Sequence, residues 1–492
     1  MKILMVTAEA VPFAKTGGLA DMVSALSIQL AREGHDVKIV MPRYYKIDRK
    51  KLELLPGPMA IAAGNEETWS AVYTTKMPGE EKVSVYFIDH EQCFGRDGIY
   101  GVPGETDFHD NPYRFAVLNH GAFQLCRKLG WYPDIIHAHD WSTSLAPVLL
   151  KNVCRYCGFE NTASVLTIHN QGYQGVYGKD KFPALGIDWG LYYGAGFEHN
   201  GAINFLQAGV SCADMITTVS PTYAREIQTA EGGFGMDGLL RVRSDVIRGI
   251  LNGADLRQWN PEIDKKIPAN YSAKDLSGKA KCKAELQKRM GLEVNPDIPV
   301  VGIVTRLVDQ KGIAEVFAPT YGSIFNICAN MKVQFAILGS GETWCENEIN
   351  TLQSKLPNLR AYIGYDDALS HLIEAGSDFF LMPSRYEPCG LNQIYSMLYG
   401  TLPIVRRTGG LADTVDNYNE KTGDGTGFVF DQLTPGAVYD TVGWAVWAYY
   451  NKKDHILKMQ KAGMKKTFGW DEASSKYVQV YKEALARGCG RF

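Results

Sequence analysis

RTGGLADT at residues 407–414 repeats, letter for letter over TGGLAD, the KTGGLAD of residues 15–21. Each copy follows an apolar run that reads as a strand and opens a stretch that reads as a helix. A strand, a glycine turn and a helix start, met once in each half of the chain, point to two βα series. Around the first copy, KILMVTAE (2–9), DVKIVMP (36–42), VSVYFID (83–89), PDIIHAHD (133–140), ASVLTIHN (163–170), MITTVS (215–220) and GILNGAD (249–255) have the look of buried parallel strands. Between them, Leu19, Met22, Val23, Leu26 and Leu30 share one helical face that Gly34 ends, and Asn111–Pro112 opens another helix. Around the second copy, VVGIVTRL (300–307), VQFAILGSG (333–341), RAYIGY (360–365), DFFLMPS (378–384) and LPIVRRT (402–408) resume the pattern. The expected class is α/β, with two Rossmann-like doubly wound parallel-sheet domains facing across a cleft. They span residues 1–255 and 299–470, joined by a polar, lysine-rich connector at 256–298 and followed by a helix at 471–492. Tyr477, Tyr481, Ala484 and Leu485 give that last helix an apolar face that must dock.

Composition narrows the function classes. At 492 residues the chain is too long for one core, and 45% hydrophobic with 21% charged residues is a globular balance. A net charge of −3 and a pI near 6.4 give no general pull toward nucleic acid or anionic membrane. Any anion site must therefore be built locally. No apolar run reaches the ~20 residues of a membrane span, and the first is too short for a secretory leader. The ten cysteines are scattered, and Cys154-x-x-Cys157 lacks a second ligand pair. They read as reduced thiols of a cytoplasmic protein.

The repeated glycine turns are candidate anion sites. Glycine lets the backbone approach a ligand, and the first N–H groups of a helix face outward at its positive pole. Lys15 and Arg406–Arg407 would then oppose the helix dipole unless something negative came between, and a phosphate is the natural candidate. The alternative is an ordinary βα turn with solvated cations. Arg306 and Lys311, in TRLVDQKG, close the first strand of the second half and could share one anion. No D-x-D pair occurs to hold Mg²⁺ or Mn²⁺, so a diphosphate would have to be neutralised by Arg, Lys and helix ends. Glu387, ahead of Pro388 and Gly390, is read as a carboxylate at a helix start, either a plain cap or an acceptor for sugar hydroxyls. Asp140 and His169 end apolar strands, as capping groups or as partners for a polyhydroxylated ligand. His137-x-His139 is a weak zinc signal, on the expectation that the two rings point to opposite faces. GFGMDG at 233–238 spells a dinucleotide turn but follows a helix rather than a strand, which excludes that reading.

Taken together, KTGGLAD, HAHDW, TIHNQGYQG, LNGAD, RLVDQKG, EPCGL and RRTGGLADT resemble the bacterial glycogen synthase and plant starch synthase family over nearly the whole chain. The resemblance implies a GT-B fold whose final helix crosses back to the first domain. It implies transfer of glucose from ADP-glucose to the non-reducing end of an α-1,4-glucan, with retention, no metal and no cofactor. By the same likeness Lys15 and Gly18 contact the donor phosphates, Arg306 and Lys311 stabilise the leaving diphosphate, and Thr408, Gly409 and Gly410 offer it backbone donors. Glu387 holds hydroxyls of the glucose, beside Cys389, Gly390 and Leu391. His169 and Asp140 line the glucose site with Asn170 and Asn252 nearby, and Tyr365 lies against adenine. Asp21 and Phe108 fall on the acceptor side. The likeness implies no covalent nucleophile: acceptor and leaving phosphate share one face of the sugar, with Asp140 and Glu387 as candidates to stabilise positive charge on the ring. Phe108 departs from the family's frequent tyrosine, and Tyr395 stands where a general GT-B pattern has a second glutamate. Rival readings are a UDP-glucose enzyme, a non-catalytic glucan binder, and a phosphorylase, for which no pyridoxal lysine is recognisable.

Overall fold

Two sheets organise the chain, and each is wound outward from its first strand. The computed structural model describes residues 1–102 and 107–489. They fall into two units, Met1–Asn252 with the chain from Trp470 on, and Gly253–Gly469. The breaks after Asn252 and Gly469 lie within three residues of the expected ends of the two domains, but unit 2 begins well before the expected residue 299.

In unit 1 the sheet runs Ile247–Gly249, Met215–Thr218, Ala163–Ile168, Ile135–His139, Lys2–Val6, Asp36–Pro42, Glu80–Asp89, all parallel. An antiparallel extension over Glu53–Met77 completes it. The central strands are apolar on both faces because helices cover both sides. Lys2–Val6 has the next strand in sequence on one side and Ile135–His139 on the other, so the winding reverses between these two. Ligands of doubly wound sheets bind beyond the carboxyl ends of the strands at such a reversal. The helix Trp470–Cys489 belongs to this unit and buries Tyr477, Tyr481 and Ala484 as its stripe requires.

Unit 2 holds six parallel strands in the order Leu359–Ile363, Gln334–Gly341, Val300–Leu307, Phe379–Met382, Leu402–Arg406, Phe428–Phe430. Here the reversal lies between Val300–Leu307 and Phe379–Met382. The expected connector is no linker: from Gly253 it is part of unit 2, and it contains the 14-residue helix Ser277–Met290. Two of the residues on the buried side of that helix are lysines. Lys279 Nζ donates to the carbonyls of Ala375 (2.9 Å) and Tyr399 (3.1 Å) and to Thr401 Oγ1 (2.7 Å). Burial lowers its pKa to about 8. Lysine at core positions hid the helical period from a reading by hydrophobicity.

Candidate active site

In unit 2 the loops after three adjacent strands converge. Lys311 follows Val300–Leu307, Glu387 follows Phe379–Met382, and Thr408 follows Leu402–Arg406. Lys311 Nζ and Glu387 Oε2 are 2.5 Å apart, and the Ser384 hydroxyl donates to the same oxygen at 3.0 Å. Glu387 is buried, 5% exposed. Its neighbours correct the expectation of a helix-start carboxylate. The helix begins only at Asn392, and it is Lys311 that balances the charge. Arg306, at the end of its strand, is exposed and forms no ion pair or side-chain hydrogen bond among the described residues. Tyr365, in the loop after Leu359–Ile363, presents its ring to solvent.

The second TGG turn fits against the loop that carries Glu387. Gly409 has φ 43°, and a Cβ there would lie 1.9 Å from the Glu387 carbonyl oxygen. At Gly410 a Cβ would lie 2.0 Å from the Cys389 carbonyl oxygen, and the Gly410 N–H donates to Glu387 O at 3.0 Å. These glycines let two loops touch, so the expected backbone donor at Gly410 is spent inside the protein. Thr408 N-caps the six-residue helix Gly409–Thr414. Cys389 is buried, and Gly390, with φ 70°, turns the chain toward Leu391 and the helix beyond. Arg406 and Arg407 do not point at the helix start either. Arg406 binds the carbonyls of Asp431 and Arg385, and Arg407 pairs with the Asp431 carboxylate at 2.7 Å.

In unit 1 the loops after Lys2–Val6, Ile135–His139 and Ala163–Ile168 bring together Glu9, Asp140 and His169. Glu9, 2% exposed, was not singled out from sequence and is the hub of the first TGG turn. Its Oε2 accepts from the N–H groups of Thr16 and Gly17, and its Oε1 from Thr16 Oγ1 (2.7 Å) and the Tyr100 hydroxyl (2.8 Å). Lys15 pairs with Asp21 in the first helical turn at 2.7 Å, and both remain partly exposed. The negative group that the sequence demanded at this helix start is therefore supplied by Glu9 and Asp21. Gly18 is the first helical residue. The same rule that marked Asp140, a carboxylate just past a buried strand, would have found Glu9.

Asp140 has φ 58° and ψ −174°, a region that only glycine enters freely and that costs about 1–3 kcal/mol. The conformation lets Oδ1 accept from the N–H groups of His169 (2.7 Å) and Asn170 (3.3 Å). Burial raises its pKa to about 7 against the pull of those two bonds. The Asn170 side chain closes its own turn on Gly172 N at 2.9 Å. Asn252, at the end of the unit, is buried with an unpartnered Oδ1. The imidazoles form a layer beneath. His137 and His139 stand at positions i and i+2 and so share a face, contrary to the expectation, with ring centroids 4.2 Å apart. His139 Nδ1 meets His169 Nε2 at 3.1 Å, and His137 meets Tyr481 OH (2.9 Å) and Thr167 Oγ1 (2.6 Å). Burial lowers His137 and His169 to about 3, which keeps them neutral near pH 7. Phe108 is not an open platform. Its ring carries the guanidinium groups of Arg96 (4.8 Å) and Arg114 (4.7 Å).

Comparison with known proteins converges on the family that the motifs resemble. A starch synthase catalytic domain model matches residues 2–242, and a glycosyl transferases group 1 model matches 286–446. The chain is 61% identical over 487 residues to a glycogen synthase of Treponema denticola, covering 99% of both proteins. It is 46% identical to glycogen synthase 1 of Geobacter metallireducens, over 100% of this chain and 97% of that one. Among solved structures, the catalytic domain of starch synthase IV from Arabidopsis thaliana, bound to ADP and acarbose, matches with a TM-score of 0.89 at 31% identity over 99% of each chain. A sucrose-phosphate synthase from Thermosynechococcus elongatus, TM-score 0.62 at 15% identity, shares the fold alone. Two doubly wound units with these clusters at their winding reversals, matched along almost their whole length, place the chain in the glycogen synthase and starch synthase family of GT-B glucosyltransferases.

Proposed function

We propose that the enzyme transfers glucose from ADP-glucose to the non-reducing end of an α-1,4-glucan, with retention and without a metal. The observation that carries the reading is the ion pair of buried Glu387 with Lys311, together with the exposed Arg306 at the end of the strand that leads to Lys311. Two cations with one buried carboxylate suit a diphosphate leaving group next to a sugar. Arg306 and Lys311 neutralise the diphosphate, and Glu387 accepts hydrogen bonds from glucose hydroxyls while it orients Lys311. Thr408 and Gly409 offer the diphosphate backbone donors, and Tyr365 supplies its exposed ring to adenine. Glu9 and Tyr100 serve the acceptor, with Asp21 at the edge of that cluster, and Asp140 and neutral His169 are hydrogen-bond partners for the glucose.

The step itself needs positioning more than a covalent partner. The bond from the anomeric carbon to the phosphate oxygen breaks as the acceptor hydroxyl approaches from the same face. The acceptor proton passes to the departing phosphate, and the new glycosidic bond keeps the original configuration. Eight of the nine described cysteines are buried as free thiols, which supports a reducing, cytoplasmic setting. No helix among the described residues is long and apolar enough to cross a membrane. Incubation with glycogen and each radiolabelled donor in turn tests the assignment. Incorporation from ADP-glucose is expected, and incorporation from UDP-glucose alone would overturn it.

A further inference from the structure

We propose that Arg114 is a positioning residue of the acceptor cluster, holding Tyr100 so that its hydroxyl stays on Glu9. The inference rests on the reading that Glu9 and Tyr100 serve the glucan. Arg114 lies on the helix Asn111–Leu129 with no exposed surface, and it forms no ion pair among the described residues. A guanidinium kept from water without a carboxylate is costly, and burial lowers its pKa. An apolar side chain would fill the same space at less cost, so the charge and its fork of donors answer to something else.

What the fork holds is the backbone that leads into Tyr100. Arg114 Nε donates to Cys93 O at 2.6 Å, and Nη1 to Ile99 O at 3.0 Å and to Asn111 Oδ1 at 2.5 Å. Asn111, oriented by that bond, donates through Nδ2 to Tyr100 O at 2.9 Å, and the Phe108 N–H reaches the same oxygen at 2.8 Å. The rings of Phe94 (5.5 Å), Phe108 (4.7 Å) and Phe115 (5.5 Å) lie around the guanidinium and partly replace its solvent. The Tyr100 ring is wedged against Phe115 and Trp141, each with centroids 5.9 Å away. Its hydroxyl can leave Glu9 only if the Ile99–Tyr100 backbone moves, and Arg114 with Asn111 prevents that movement. Glu9 in turn holds the first TGG turn. The chain of contacts thus runs from a buried cation to a loop that a short sequence motif alone does not fix.

Steady-state kinetics of the full chain with ADP-glucose and glycogen, for Tyr100→Phe, Arg114→Met and the double variant, test the proposal. Each single variant is expected to raise the glucan KM about tenfold, the scale of one lost hydrogen bond, while the donor KM stays within about twofold. The double variant is expected to be no worse than the singles, because Arg114 acts through Tyr100. A purely structural Arg114 would instead lower the amount of active enzyme and leave KM alone. A glucan KM raised by Tyr100→Phe but not by Arg114→Met overturns the proposal and leaves the acceptor reading standing. Additive losses in the double variant overturn it too. A silent Tyr100→Phe contradicts the acceptor reading and the proposal with it. Should Arg114→Met fail to fold, Arg114→Lys keeps the charge but cannot reach both carbonyls. It is expected to shift glucan KM in the same direction, and an unchanged value would sink the idea.

Discussion

The two TGGLAD copies share their letters and differ in what their glycines do. Gly409 is forced by contact, with a Cβ destined for 1.9 Å from a backbone oxygen at φ 43°. Gly17 is extended at φ −154°, and a Cβ there would meet nothing within 4 Å. Gly17→Ala is therefore expected to cost about 1 kcal/mol or less, the ordinary difference at an N-cap. Gly409→Ala is expected to cost at least about 2 kcal/mol, since backbone must shift and the conformation is unfavourable for alanine. Thermal unfolding of both variants decides, and equal losses would contradict the contact account. At Glu387 the expected effect is on rate. Glu387→Gln keeps the shape but weakens the hold on Lys311, and kcat should fall on the order of a hundredfold with the fold retained. Near-normal turnover would remove Glu387 from the chemistry. Repetition of letters was legible in the sequence; the division of labour was not, because it depends on which loop lies against each turn.

At the scale of elements, the strand Ile135–His139 carries a built-in response to acid. His137 and His169 are held near 3 by burial, below their ordinary 6.5, and His139 lies well below it too. Protons bind the unfolded chain first, so the stability these rings contribute is complete above pH 6.5 and falls as pH drops toward 3. Each buried imidazole should cost about tenfold in the folding equilibrium per pH unit below 6.5. Asp140 works the other way, because its raised pKa favours the native state as pH falls from about 7 toward 3.8. Comparing His137→Gln with the parent cancels that opposing effect. Denaturant unfolding at pH 5, 6 and 7 is expected to show a shallower loss in the variant. Parallel slopes would mean that His137 is not neutral in the folded protein. The parallel strands were legible because both their faces are apolar. The antiparallel strands Glu53–Leu54, Met59–Ala63 and Glu66–Met77 were not, since they stand partly in solvent and lack a continuous apolar run. The strand Ile247–Gly249 ends where the expected one begins, a shift that a three-residue strand cannot reveal.

For the molecule as a whole, unit 1 is assembled from both ends of the chain. The helix Trp470–Cys489 buries Tyr477 and Tyr481, and the Tyr481 hydroxyl bonds His137, whose ring lies against His139. Ending the chain at Gly469 spares every residue assigned to the chemistry, yet it should lower Tm by several degrees or abolish soluble expression. An unchanged Tm would contradict the role given to that helix. The candidate site was legible from sequence where a charged residue follows a buried strand, as at Asp140, Arg306, Lys311 and Glu387. It was not legible where side chains far apart in sequence satisfy one another. Glu9 on the first glycine turn, Tyr100 on Glu9, and Lys311 on Glu387 are contacts made by the winding of the sheets. The central claim is that arginine and lysine, rather than a divalent cation, neutralise the departing diphosphate. The direct measurement is the initial rate of glucose incorporation from ADP-glucose into glycogen, with and without EDTA, for the parent and Arg306→Ala. The account expects EDTA to leave the parent rate unchanged and Arg306→Ala to lose on the order of a hundredfold or more. Loss of the parent's activity in EDTA, restored by Mg²⁺ or Mn²⁺, would contradict it.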